Sequence, residues 1–139
     1  MSQNATALYT ARTRTSGGRD TGVARSSDGT LDLRLAAPGS ERIGTNPEQL
    51  FAAGWSACLE SAIALAADKR GMALAGKVTI DAEVDLHLAP DGYSLGARFS
   101  IAIPGIEQGV AQALVDEAHR LCPYSKATRG NIDVSIRLV

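Results

Sequence analysis

The chain has 139 residues, of which 45% are hydrophobic and 21% charged. These proportions fit one folded domain spanning residues 1–139 and are too apolar for a disordered segment. Fourteen Lys and Arg against fifteen Asp and Glu leave a formal charge of −1, without the basic excess of a nucleic-acid or anionic-membrane binder. The uncharged run from Gln49 to Leu59 is too short to span a bilayer. The start Met1-Ser2-Gln3-Asn4 lacks the basic-then-apolar pattern of a secretory signal, so a cytoplasmic location is expected.

The first third reads as strands. Leu8 to Arg14 is a candidate that meets Gly17-Gly18, and Val23 to Ser26 is a short second one. Asp28-Gly29 is a tight-turn signal, and Leu31 to Leu35 alternates as a half-buried strand should. A three-stranded N-terminal unit is predicted. Thr45 and Glu48 have capping-box spacing around Pro47, so a helix is expected from about Leu50 to Ala67. Leu50, Gly54, Ala57, Cys58, Ser61 and Leu65 form one stripe of it, and its first part is apolar on nearly every side, which predicts a buried central helix.

Val78 to Leu88 alternates cleanly, Pro90-Asp91-Gly92 turns the chain, and Leu95 to Ile103 returns. A second helix is expected from Glu107 to Leu121, stopped by Pro123. Ile132 to Leu138 closes with another strand. The order is βββ-α-ββ-α-β, an α+β fold with mainly antiparallel sheets around a buried central helix.

Chemistry-bearing residues are few. Two cysteines and two histidines do not make a metal site by number or spacing, so none is expected. Cys58 reads either as a small core hydrophobe or as a nucleophile. A mid-helix thiol gains nothing from a helix N-terminus, so a reactive Cys58 needs a cation from elsewhere. Arg19, after Gly17-Gly18, reads either as a solvated loop residue or as that cation, its planar fork suited to hold a thiolate and a peroxide oxygen together. Glu48 reads as a capping residue or as the carboxylate that orients the arginine. Ten residues of helix put it about 15 Å from Cys58. If both serve one site, the helix breaks or Glu48 comes from a second subunit, and the second subunit is the expectation.

Cys122 ends the second helix, where exposed carbonyls disfavour a thiolate. The position suits a resolving thiol better than an attacking one. His119 could act as its base, but reads better as a solvated helix residue, and His87 as strand surface.

Gly17-Gly18-Arg19, the run Thr45-Asn46-Pro47-Glu48-Gln49-Leu50-Phe51-Ala52-Ala53-Gly54-Trp55-Ser56-Ala57-Cys58, and Cys122-Pro123-Tyr124-Ser125-Lys126-Ala127-Thr128-Arg129-Gly130-Asn131 closely resemble the OsmC/Ohr family. The likeness covers nearly the whole chain and is nearest to the organic hydroperoxide resistance branch. It implies a thiol peroxidase acting on organic and fatty-acid hydroperoxides, and an intertwined homodimer with its active sites at the interface. It implies Cys58 as the attacking cysteine, Cys122 as the resolving one, Arg19 as the stabilising arginine and Glu48 as its carboxylate. It also implies no tightly bound cofactor, with dihydrolipoamide or a lipoylated protein as the reductant. Leu50, Phe51 and Trp55 are expected to line an apolar approach to Cys58. The alternatives are an OsmC-type peroxidase of different peroxide preference, a non-catalytic dimeric binding protein on the same fold and, less well supported, a cysteine hydrolase using His119 or His87.

Overall fold

The computed structural model describes residues 5–139. The four residues on which the secretory-signal reading rests lie outside that range. The chain divides into two compact units, residues 1–47 and 48–139.

The N-terminal unit contains β1 (Thr13–Ser16), α1 (Gly18–Thr21), β2 (Val23–Ser26) and β3 (Asp32–Arg34). The strands form an antiparallel sheet in the order β1-β2-β3, as the sequence predicts. Asp28 shapes the β2–β3 turn. Its Oδ1 accepts from the Ser26 hydroxyl at 2.6 Å, from the Thr30 hydroxyl at 2.7 Å and from the Thr30 amide at 3.1 Å, while Gly29 takes φ +76°. The strand expected from Leu8 begins only at Thr13. β2 is four residues long, and its register with β1 ends at Thr13 opposite Ser26, leaving Leu8 95% exposed.

The Gly17-Gly18 loop closes into one helical turn rather than an open arm. Both glycines have positive φ, +87° and +78°, a region that costs other residues strain. The Gly22 amide donates back to the Gly18 carbonyl at 2.9 Å. Just before the central helix, Thr45 joins a parallel bridge with Leu35.

The central helix α2 runs unbroken from Pro47 to Lys69, its first residue being the last of the N-terminal unit. The rest of the C-terminal unit is β4 (Thr79–Ala89), β5 (Gly92–Ala102), α3 (Gln108–Leu121), α4 (Pro123–Thr128) and β6 (Asp133–Leu138). β4 and β5 form an antiparallel hairpin, and β6 adds to β5 in parallel. A parallel neighbour requires a crossover, which α3 and α4 supply. The Glu107 side chain caps α3 by accepting from the amides of Gly109 and Val110 at 2.9 and 3.1 Å.

The core of this unit packs Trp55, Leu59 and Ile63 of α2 with Phe99 and Ile101 of β5, Val115 and Ala118 of α3, and Cys122. The buried stripe of α2 is therefore Trp55, Leu59, Ala62, Ile63, Ala66 and Ala67. The expected stripe lies elsewhere on the helix: Cys58 is half-buried and Leu65 is 47% exposed. A helix that is apolar on more than one side gives no moment by which its sequence can choose a face. At 23 residues α2 also reaches the length and apolar content of a bilayer span, further than the Gln49–Leu59 run indicates. Its packing against β5 and α3 identifies it as a core helix.

α4 is absent from the sequence reading. Pro123 ends α3 and also opens α4, where its missing N–H costs nothing and its fixed φ suits the first turn.

Candidate active site

α2 carries Cys58 at its midpoint, half-buried, and the corner between α3 and α4 carries Cys122, wholly buried. Sixty-four positions apart in the chain, the two meet: Cys58 packs against the core that holds Cys122, close enough for Cys122 to raise the Cys58 thiol. Cys122 is at once the last residue of the α3 turn and the residue before α4. It therefore stands among first-turn amides as well as last-turn carbonyls, where the sequence reading placed only carbonyls. One such amide, that of Tyr124, hydrogen-bonds the Cys58 sulfur.

Burial pushes the Cys58 thiol above its ordinary range, and the charge and hydrogen bond of Cys122 push the same way. The Tyr124 amide opposes them. The balance favours a neutral thiol, so ionising Cys58 calls for a further positive charge.

Arg19 lies in α1 of the N-terminal unit, its Nε 4.0 Å from Asp20 Oδ1 and its side chain 39% exposed. Glu48 lies in the first turn of α2. Because α2 is continuous, Glu48 stands about 15 Å along the axis from Cys58 of the same chain. The structure brings Cys58 and Cys122 together, and unbroken α2 keeps Glu48 about three turns from Cys58.

Aromatic side chains gather beside the cysteine pair. Phe51 packs edge-on to Trp55 with ring centroids 5.3 Å apart, and Trp55 edge-on to Phe99 at 4.7 Å. Phe51 also meets Tyr124 at 6.2 Å. Trp55 is wholly buried in this stack, so it belongs to the core and does not line an approach to Cys58.

Sequence reasoning missed two residues here. His119, expected as a solvated helix residue, holds its Nδ1 2.9 Å from the hydroxyl of buried Ser125. That hydroxyl also accepts the Trp55 indole N–H at 3.1 Å. The proline after Cys122 was the available signal, because a proline one residue past a helix end can open the next helix. His87 is on the strand surface, its Nε2 3.7 Å from Asp85. Among the described residues no group of three His, Cys, Asp or Glu side chains could hold a metal ion.

Comparison with known proteins places the chain among relatives. Residues 38–137 match the family described as OsmC-like protein. The chain is 47% identical over 135 residues to the organic hydroperoxide resistance protein of Xanthomonas axonopodis pv. citri (strain 306), covering 94% of each. It is 42% identical to organic hydroperoxide resistance protein OhrA of Bacillus subtilis (strain 168), covering 94% of this chain and 96% of that one. Among solved structures it resembles an organic hydroperoxide resistance protein, OsmC, of Legionella pneumophila. The TM-score is 0.90 at 45% identity, over 96% of this chain and 98% of that chain.

Proposed function

The chain belongs to the OsmC-like protein family, and from that membership we propose that it is a thiol peroxidase. It reduces organic hydroperoxides, including those of fatty acids, to alcohols. Its curated relatives are named for resistance to organic hydroperoxides. The observation that carries the reading is the Cys58–Cys122 contact: a half-buried thiol with a second thiol already against it can be oxidised and then closed into a disulfide.

The cycle has three steps. The Cys58 thiolate attacks one peroxide oxygen, the O–O bond breaks, and the departing alkoxide takes up a proton to leave as the alcohol. Cys58 becomes a sulfenic acid. The Cys122 sulfur then attacks Cys58, the S–S bond forms, and hydroxide leaves as water with the Cys122 proton. A dithiol reductant, dihydrolipoamide or a lipoylated protein, supplies two electrons and two protons and leaves as its own disulfide.

The raised Cys58 thiol needs positive charge, and Arg19 is the residue assigned to supply it, stabilising the thiolate and the charge that grows on oxygen as the O–O bond breaks. Glu48 orients Arg19. Since Glu48 and Cys58 are separated along an unbroken helix, the Glu48 that completes a site comes from a second copy of the chain. Leu8, Tyr9, Ile43, Leu88 and Tyr93 are all exposed in the single chain, which supports pairing of two copies. The same reading puts the protein in the cytoplasm, where thiols between turnovers stay reduced.

The deciding experiment is a thiol count and intact mass on the reduced protein, before and after one equivalent of cumene hydroperoxide. Loss of both thiols with a mass decrease of about two hydrogens is expected. Two surviving thiols would reject the peroxidase and favour a binding protein on the same fold. Light scattering should return twice the 14.5 kDa chain mass; a monomer at micromolar concentration would remove the shared site.

A further inference from the structure

We infer that Ser125 and His119 are positioning residues for the second cysteine: the hydrogen-bonded chain Trp55–Ser125–His119 fixes the corner that presents Cys122, and the Tyr124 amide, to Cys58. The inference rests on the peroxidase reading for its consequence in turnover. The tether itself is a property of the thiol pair and can be tested without a peroxide.

Ser125 is wholly buried, one residue after Tyr124 and three after Cys122. Its single oxygen joins three elements. Trp55, three residues before Cys58 on α2, donates to it at 3.1 Å, and His119 of α3 meets it at 2.9 Å. An indole N–H only donates, so Ser125 is the acceptor there and has one proton of its own to give. His119 Nδ1 is placed to receive it. With Nδ1 as the acceptor, the imidazole is neutral and carries its proton on Nε2.

The surroundings agree with that assignment. Burial and the nearby Arg129 charge hold His119 below the usual imidazole range, and Asp116 pulls weakly the other way. The far end of α4 is tied to the same histidine, since Arg129 Nη2 donates to the His119 carbonyl at 2.6 Å. α4 is thus fastened at its start through the His119 side chain and at its end through the His119 backbone.

A disulfide forms only within narrow limits of distance and direction between the two Cβ atoms. The corner at Cys122 cannot pivot without breaking the Ser125 bonds, so the tether sets how readily the two sulfurs join. Protonation of His119 turns Nδ1 into a donor. Ser125 must then redirect its own proton, and the tether loosens.

Trp55 is the only tryptophan, so its fluorescence reports its own hydrogen bond to Ser125. Emission of the reduced protein should change between about pH 8 and about pH 5, with a midpoint below about 6.5. His119→Asn, whose amide accepts a hydrogen bond without titrating, should abolish that transition and keep the high-pH spectrum. The second readout is the equilibrium of the Cys58–Cys122 disulfide with dithiothreitol at neutral pH. Ser125→Ala and His119→Leu should each shift it toward the dithiol by about tenfold, the scale of one buried hydrogen bond, and His119→Asn should restore it.

A pH transition that survives in His119→Asn would overturn the inference. So would wild-type disulfide equilibria in both Ser125→Ala and His119→Leu. If Ser125→Ala fails to fold, the comparison of His119→Leu with His119→Asn decides alone. Inertness toward cumene hydroperoxide would reject the peroxidase and leave these results standing.

Discussion

The Tyr124 hydroxyl lies 3.1 Å from the point where a Cβ on Gly54 would stand. The glycine one turn before Cys58 on α2 is therefore the seat of a ring whose own amide reaches the Cys58 sulfur. Glycine within a helix costs about 1 kcal/mol relative to alanine, and the close approach of the phenol accounts for its presence. Tyr124 is 39% exposed, so it can give way by a few tenths of an ångström. Gly54→Ala should consequently raise stability by up to about 1 kcal/mol, read as a higher denaturant midpoint with an unchanged slope. A lower midpoint would mean that the ring is fixed where it stands.

Removing Arg19 should leave burial and Cys122, which disfavour ionisation of the Cys58 thiol, opposed by the Tyr124 amide alone. Arg19→Ala is expected to slow the reaction with organic hydroperoxide by a factor on the order of 10² or more, the scale of a lost electrostatic partner. Stopped-flow oxidation of the reduced protein measures it, and wild-type kinetics would end the assignment.

Cys122→Ser should complete one turnover and then fail. Its Cys58 sulfenic acid has no thiol against it and goes on to the sulfinic acid under excess peroxide. Mass spectrometry should find two added oxygens on Cys58, whereas sustained turnover in this variant would count against Cys122 as the resolving thiol.

Asp28 offers a pH test away from the cysteines. Hydrogen bonds from Ser26 and Thr30 hold its carboxyl at about 2. A folded value below the unfolded one of about 3.9 means that the turn favours the carboxylate. Its contribution to stability is complete above about pH 4 and is lost as pH falls through about 2. NMR titration of the Asp28 carboxyl should give that low midpoint, and Ser26→Ala, which removes the largest cause, should raise it.

The regular elements were legible where pattern and partner agreed. The alternation from Val78 and the returning strand from Leu95 gave the β4–β5 hairpin because one face of each strand is apolar. Legibility failed where the deciding partner lay elsewhere in the fold. Leu8 reads as a strand residue, but β2 is too short to pair with it. α2 was found and its buried face was not, since a helix apolar on several sides leaves that choice to the sheet. The motif around Cys122 pointed to chemistry, yet Ser125 and His119 are six positions apart across a helix break, outside any period of one helix. The cysteine pair was expected through the family resemblance, and spacing alone said nothing of it.

The parallel pairing of β6 with β5 has a consequence for synthesis. α3 and α4 lie between β5 and β6 in the chain, so on the ribosome β5 is made well before the partner for that side. Until it arrives, β5 presents an open edge beside buried Phe99 and Ile101, an edge ready to accept a strand from a neighbouring nascent chain. The interval between the making of β5 and the making of β6 is thus one in which the chain is open to mispairing.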